Sequence, residues 1–125
     1  MTEDLFYSII NQLRAMDYHG SISLFSNNEP LLDGRILKFI EHARKLLPNA
    51  KHTLYTNGTL LNAEKFSVLV RNLDLLIVDN YDDNFKLIPS VKKVLDSTPP
   101  HDFKCDVQIS MRKKSEAQYP RRLRA

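Results

Sequence analysis

Few side chains in this 125-residue sequence are of types that do chemistry at a recognisable spacing, and most of those fall in four polar corners. The first is Ser26-Asn27-Asn28-Glu29-Pro30, directly after a short apolar run. A carboxylate placed there can hold an ammonium group by a charge-assisted hydrogen bond. It can equally accept bonds from backbone amides of its own loop. The second corner is Thr56-Asn57-Gly58-Thr59, where glycine permits a positive φ or a close approach of backbone to ligand, although Asn-Gly is also an ordinary turn. The third runs from Asp79 and Asn80 to Asp83, and the fourth from Met111 to Lys113. Within the fourth, Arg112 could grip a carboxylate with its planar fork, or simply open a basic tail. His19, His42, His52 and His101 have no metal-ligand spacing among them. The single cysteine, Cys105, excludes an intrachain disulfide and a multi-cysteine metal site, and its β pattern reads as a small buried hydrophobe. No nucleophile–base pair is evident by spacing. Three widely separated glycines, with no Walker motif and no GxGxxG, argue against a phosphate-cradling loop. No catalytic residue and no metal ligand is assigned.

The elements that must carry these corners alternate along the chain. Leu5, Phe6, Ile9, Ile10, Leu13 and Met16 form a helical stripe with Thr2 as its N-cap. A strand follows over Ser21–Phe25, then a helix carrying Ile36, Leu37, Phe39, Ile40, Ala43, Leu46 and Leu47, with Asp33 as its expected cap. His52–Tyr55 reads as a strand, Asn62–Asn72 as a helix, and Leu73–Val78 as a buried parallel strand. Pro89 can open a further helix that ends before Pro99-Pro100, and Lys104–Met111 is the last strand. Four strands alternating with four helices imply right-handed βαβ crossovers and a parallel sheet. Ligands of such sheets gather at the C-terminal ends of the strands, where all four corners fall.

Charge and length limit the possibilities further. The 18 basic and 15 acidic residues give +3, but six basic residues and only Glu116 lie in Arg112–Ala125. The preceding 111 residues hold 12 basic and 14 acidic residues, so the basic character belongs to a tail expected to be frayed in solvent. A tail-mediated contact with nucleic acid is the weaker reading because the body is acidic. No run of eighteen apolar residues and no secretory signal is present, so no membrane partner is expected, and a lone thiol favours the cytoplasm. The chain is too short for a complete eight-unit βα barrel, which takes roughly 250 residues.

The order of the corners carries a resemblance. Gly20-Ser21-Ile22-Ser23-Leu24-Phe25-Ser26-Asn27-Asn28-Glu29-Pro30-Leu31-Leu32 resembles the second strand of radical S-adenosylmethionine (radical SAM) enzymes and its Gly-Gly-Glu-Pro-like corner. Thr56-Asn57-Gly58-Thr59-Leu60-Leu61 is similar to the Thr-Asn-Gly exit of the next strand, one helix later. Val107–Lys113 is similar to the subgroup with a C-terminal auxiliary-cluster (SPASM-type) domain. The resemblance implies an open partial (β/α) barrel over residues 1–114, followed by the basic tail 115–125. It implies S-adenosylmethionine as cofactor, with Glu29, Asn28 and Asn27 near the methionyl ammonium, Thr56 and Asn57 beside them, Asp79 and Asn80 near the ribose, and Arg112 facing the methionyl carboxylate. Asn27 and Asn28 replace the family's two glycines, and the serine often found near the ribose is absent. The family's 4Fe–4S cluster needs three thiolates in a CxxxCxxC loop, which this sequence does not contain. The expectation is therefore a truncated or central piece of a radical SAM enzyme, without chemistry of its own. An incomplete barrel wall would expose an inner apolar face and favour a homo-oligomer. The alternative is a small doubly wound α/β module that binds a partner, which would carry helices on both sheet faces.

Overall fold

The computed structural model describes residues 2–24, 29–97 and 104–114. Its elements are α1 (Glu3–Ala15), β1 (Ser21–Ser23), a 3-10 turn (Pro30–Leu32), α2 (Ile36–Leu46), β2 (Lys51–Thr56), α3 (Ala63–Asn72), β3 (Leu75–Tyr81), α4 (Pro89–Ser97) and β4 (Asp106–Arg112). The strands form one parallel sheet in the order β1-β2-β3-β4. The expected basic tail lies outside the described residues. No helix among the described residues is long and apolar enough to cross a membrane.

Local chemistry explains most element boundaries. Thr2 caps α1 by accepting the Leu5 N–H at 3.1 Å, with Glu3 and Asp4 at the positive end of the helix dipole. Asn62 caps α3 in the same way through the Lys65 N–H at 2.8 Å. Pro89 opens α4, where its missing N–H costs nothing. Asp33 departs from its expected role as the α2 cap. Its carboxylate instead accepts the Arg35 backbone N–H and is gripped by the Arg35 guanidinium, which holds its pKa down at about 2. Arg35 occupies the capping position without a side-chain capping hydrogen bond, and its guanidinium lies over the Phe39 ring of α2, 5.1 Å from the centroid.

The apolar stripe of α1 is narrower than its sequence suggests. Phe6 and Ile10 are buried, whereas Leu5, Ile9 and Met16 are exposed. The reason is that α1 packs on α2 along a single seam, where Phe6 stacks on Phe39 with ring centroids 4.0 Å apart.

Leu73–Val78 is displaced as a strand. β3 begins at Leu75 and runs through Tyr81, paired with β4 up to Tyr81 opposite Arg112. Asp79 and Asn80 therefore lie within the strand rather than in a loop beyond it. Both polar side chains find partners there, so the sheet continues through them.

Alternate residues define the two faces of the sheet. His52, Leu54, Thr56, Leu76, Val78 and Asn80 are buried, and the apolar members of this set join the core formed with α2, α3 and α4. Ser23, Thr53, Tyr55, Leu75, Ile77, Gln108 and Ser110 face the other way and none of them is buried, whereas Asp79, on that same face, is buried beside Arg112. A strand order that never reverses, with one face covered, is a barrel wall; a doubly wound sheet reverses its strand order and covers both faces. The doubly wound alternative is set aside on this ground. The open face also differs from the apolar surface expected, because serine, threonine and glutamine alternate with Tyr55, Leu75 and Ile77 along it.

Candidate functional site

Glu29 stands at the N-terminus of the 3-10 turn that Pro30 begins. Its Oε2 accepts the Leu31 N–H at 2.9 Å, and its Oε1 accepts the Asn57 N–H at 2.7 Å. The Thr56 hydroxyl, at the end of β2, reaches both carboxylate oxygens at 2.9 and 2.8 Å. The first two polar corners, 27 residues apart in sequence, thus meet through one carboxylate. Asn57 Oδ1 accepts both the N–H and the hydroxyl of Thr59, a short local turn that leads the chain away from the strand. Gly58 follows with a positive φ, and its carbonyl accepts the Ser90 hydroxyl at 2.7 Å.

The other two corners meet as well. Arg112 Nε donates to Asp79 Oδ1 at 3.2 Å, across the β3–β4 pair and on the open face. Asp79 is only 4% exposed, so its charge is held by the guanidinium rather than by water. Asn80 points to the opposite, helix-covered face and is 0% exposed. Its amide nitrogen donates to the Lys86 carbonyl and its oxygen accepts the Ile88 N–H, each at 2.8 Å. This side chain braces the loop between β3 and α4. Asn27 and Asn28 lie outside the described residues.

That loop is itself fastened to the end of β4. The Asp82 N–H donates to the Arg112 carbonyl at 2.8 Å, and the Asp82 carboxylate accepts the Lys86 and Asn84 N–H groups, which lower its pKa. Glu29, Thr56, Asp79 and Arg112 all lie at or near the C-terminal ends of the strands, the end at which barrel enzymes place their chemistry.

The opposite end of the sheet holds a polar network that spacing alone did not reveal. Asp74 accepts the Arg44 guanidinium at 2.7 Å and the His52 backbone N–H at 2.8 Å, and Arg44 Nε donates to the Asn72 carbonyl at 2.8 Å. Burial opposes ionisation of Asp74, yet the His52 N–H and Arg44 hold its pKa below the ordinary carboxylate value. His52 is buried with Nε2 2.8 Å from the Leu47 carbonyl, and burial lowers its pKa. These contacts join α2, β2 and β3 at the N-terminal end, where barrels invest in stability. Cys105 is buried too, and burial pushes its thiol up to about 11. Among the described residues, no group of three or more His, Cys, Asp or Glu side chains converges to hold a metal ion.

No family model matches the chain. A curated protein from Niallia circulans, an S-adenosyl-L-methionine-dependent 2-deoxy-scyllo-inosamine dehydrogenase, is 30% identical over 69 residues, which cover 55% of this chain and 28% of that enzyme. The crystal structure of BtrN in complex with AdoMet and 2-DOIA superposes with a TM-score of 0.76 at 25% identity, over 93% of this chain and 45% of that one. The fold is shared as well with BtrN in an open conformation, at a TM-score of 0.62 and 23% identity over 87% of this chain and 44% of that one. The chain spans less than half the length of each of these proteins. These likenesses support the resemblance to radical S-adenosylmethionine enzymes carried by the Glu29 and Thr56 corners.

Proposed function

We propose that this chain provides the central βα units of a radical S-adenosylmethionine enzyme and holds the methionyl end of S-adenosylmethionine at Glu29. The observation that carries the reading is the state of the Glu29 carboxylate. Two oxygens offer about four acceptor positions. Among the described residues, Leu31, Thr56 and Asn57 supply three donor hydrogens, that of Thr56 shared between the two oxygens, so the four positions hold three hydrogens and can take one more from an N–H group of a ligand. A cationic ammonium suits that position better than a neutral donor, because it adds the attraction of opposite charges to the hydrogen bond. Arg112, on the open face at the end of β4, is the group suited to the methionyl carboxylate, with Asp79 orienting its guanidinium. Asn27 and Asn28 are assigned to the same cofactor site in this reading. Asn80 contributes by bracing the β3–α4 loop.

In the family, S-adenosylmethionine supplies a carbon radical after a 4Fe–4S cluster reduces its sulfonium. Three thiolates do not fit a chain with one cysteine, and that one buried, so no radical step is assigned to these residues. Their task is to bind and orient. Calorimetric titration with S-adenosylmethionine tests it directly. The wild type should give a saturable heat, and Glu29→Ala should bind at least about tenfold more weakly, the scale of one lost charge-assisted bond. Equal heats for the two proteins would remove Glu29 from the site.

A further inference from the structure

We propose that Thr56 is a positioning residue for Glu29: its hydroxyl fixes the orientation in which the carboxylate meets an incoming ammonium group. The inference deepens the preceding reading and rests on it. A threonine hydroxyl has one hydrogen and two acceptor positions, so its neighbours decide where the hydrogen points. Here the Gly58 N–H donates to Thr56 Oγ1 at 3.2 Å, which occupies an oxygen lone pair and leaves the hydrogen for Glu29. That hydrogen is shared between Oε1 at 2.9 Å and Oε2 at 2.8 Å. The Asn57 and Leu31 N–H groups bind one oxygen each, so rotating the carboxylate about its terminal bond would strain all of these contacts together.

The setting makes the hydroxyl hard to replace. Thr56 is 3% exposed, which leaves little room for water to serve in its place. The Gly58 carbonyl is tied to Ser90, so the donor arrangement is anchored on the first turn of α4 rather than on a free loop. Glu29, by contrast, follows a strand of only three residues and carries a long side chain that would otherwise sample several rotamers. Ordering that side chain before a ligand arrives removes its ordering cost from the binding step.

A selectivity measurement separates positioning from general support of the fold. Wild type, Thr56→Val and Thr56→Ser are titrated calorimetrically with S-adenosylmethionine and with its analogue lacking the α-ammonium group, and thermal unfolding confirms that each variant is folded. The wild type should prefer S-adenosylmethionine. Thr56→Val should lose about tenfold for S-adenosylmethionine while its affinity for the analogue stays within about threefold, because only the ammonium contact is misaligned. Thr56→Ser, which keeps the hydroxyl, should retain the wild-type preference. The inference is overturned if Thr56→Val weakens both ligands equally or neither, or if Thr56→Ser loses the preference. Should Thr56→Val not fold, the serine variant still decides the matter, and Thr56→Ala replaces valine with the same expectations. A wild type that fails to bind, or binds both ligands equally, overturns the reading of Glu29 itself and the inference with it.

Discussion

At Gly58 the backbone φ is 79°, and a Cβ added there would stand 2.6 Å from Val91 Cγ2 and 2.9 Å from Val78 Cγ1. The left-handed conformation alone costs an L-residue about 1–2 kcal/mol, and forcing a methyl group against two packed valines adds a comparable amount. Gly58→Ala should therefore lower the unfolding free energy by at least about 2 kcal/mol in urea titration, and a change below about 0.5 kcal/mol would contradict the packing described. The sequence named Gly58 as a permissive position and Glu29 as a carboxylate at a strand exit, but not that the two share Thr56. A contact between residues 27 apart depends on which strands become neighbours, here β1 and β2, and spacing along the chain does not encode that. Asp79 and Asn80 show the same limit. Adjacent in sequence, they point to opposite faces of β3, so one meets Arg112 on the open side while the other is sealed beneath the helices.

Among the elements, capping and alternation were legible and strand ends were not. Thr2 acts through a bond to the N–H three residues on and Pro89 through its fixed φ, both set by local sequence, whereas Asp33, the expected cap of α2, binds Arg35 instead. β3 outran its apolar stretch because β4 pairs with it through Tyr81, a tertiary cause. The network at the other end of the sheet makes a prediction about acid stability. Burial sets the folded pKa of His52 below its ordinary value of 6.5, so the unfolded chain binds the proton more readily. The stabilising contribution is complete above that value and is lost progressively as pH falls toward the folded pKa, at no more than about 1.4 kcal/mol per pH unit for one proton. Asp74, with its pKa also lowered, contributes above the ordinary carboxylate value of 3.8 and loses that contribution only in stronger acid. Urea midpoints at pH 7.5 and 5.5 should fall more for the wild type than for His52→Gln, which keeps a donor near the Leu47 carbonyl without titrating. Parallel pH dependences would remove His52 as the cause.

For the molecule as a whole, the decisive feature is a sheet that, among the described residues, is covered on one face. Among the described residues, β1 and β4 each pair on one side only, and Tyr55 is 41% exposed on the open face beside Leu75 and Ile77. Unpaired strand edges and a partly apolar face are features that favour self-association, and polar positions on that face oppose it. Sedimentation velocity across a concentration series should show the weight-average mass rising, whereas a monodisperse monomer at the highest concentration would count against an oligomer. The unbroken order β1-β2-β3-β4 has a further consequence for how the chain gains and loses structure. Every strand pairing joins consecutive βα units, so the molecule is close to a one-dimensional array in which each unit is stabilised by its immediate neighbours, two for β2 and β3 and one for β1 and β4 among the described residues. Cooperativity should therefore be graded rather than uniform. Amide exchange should be slowest where β2 meets β3 and quicken outward, with the three-residue β1 opening first.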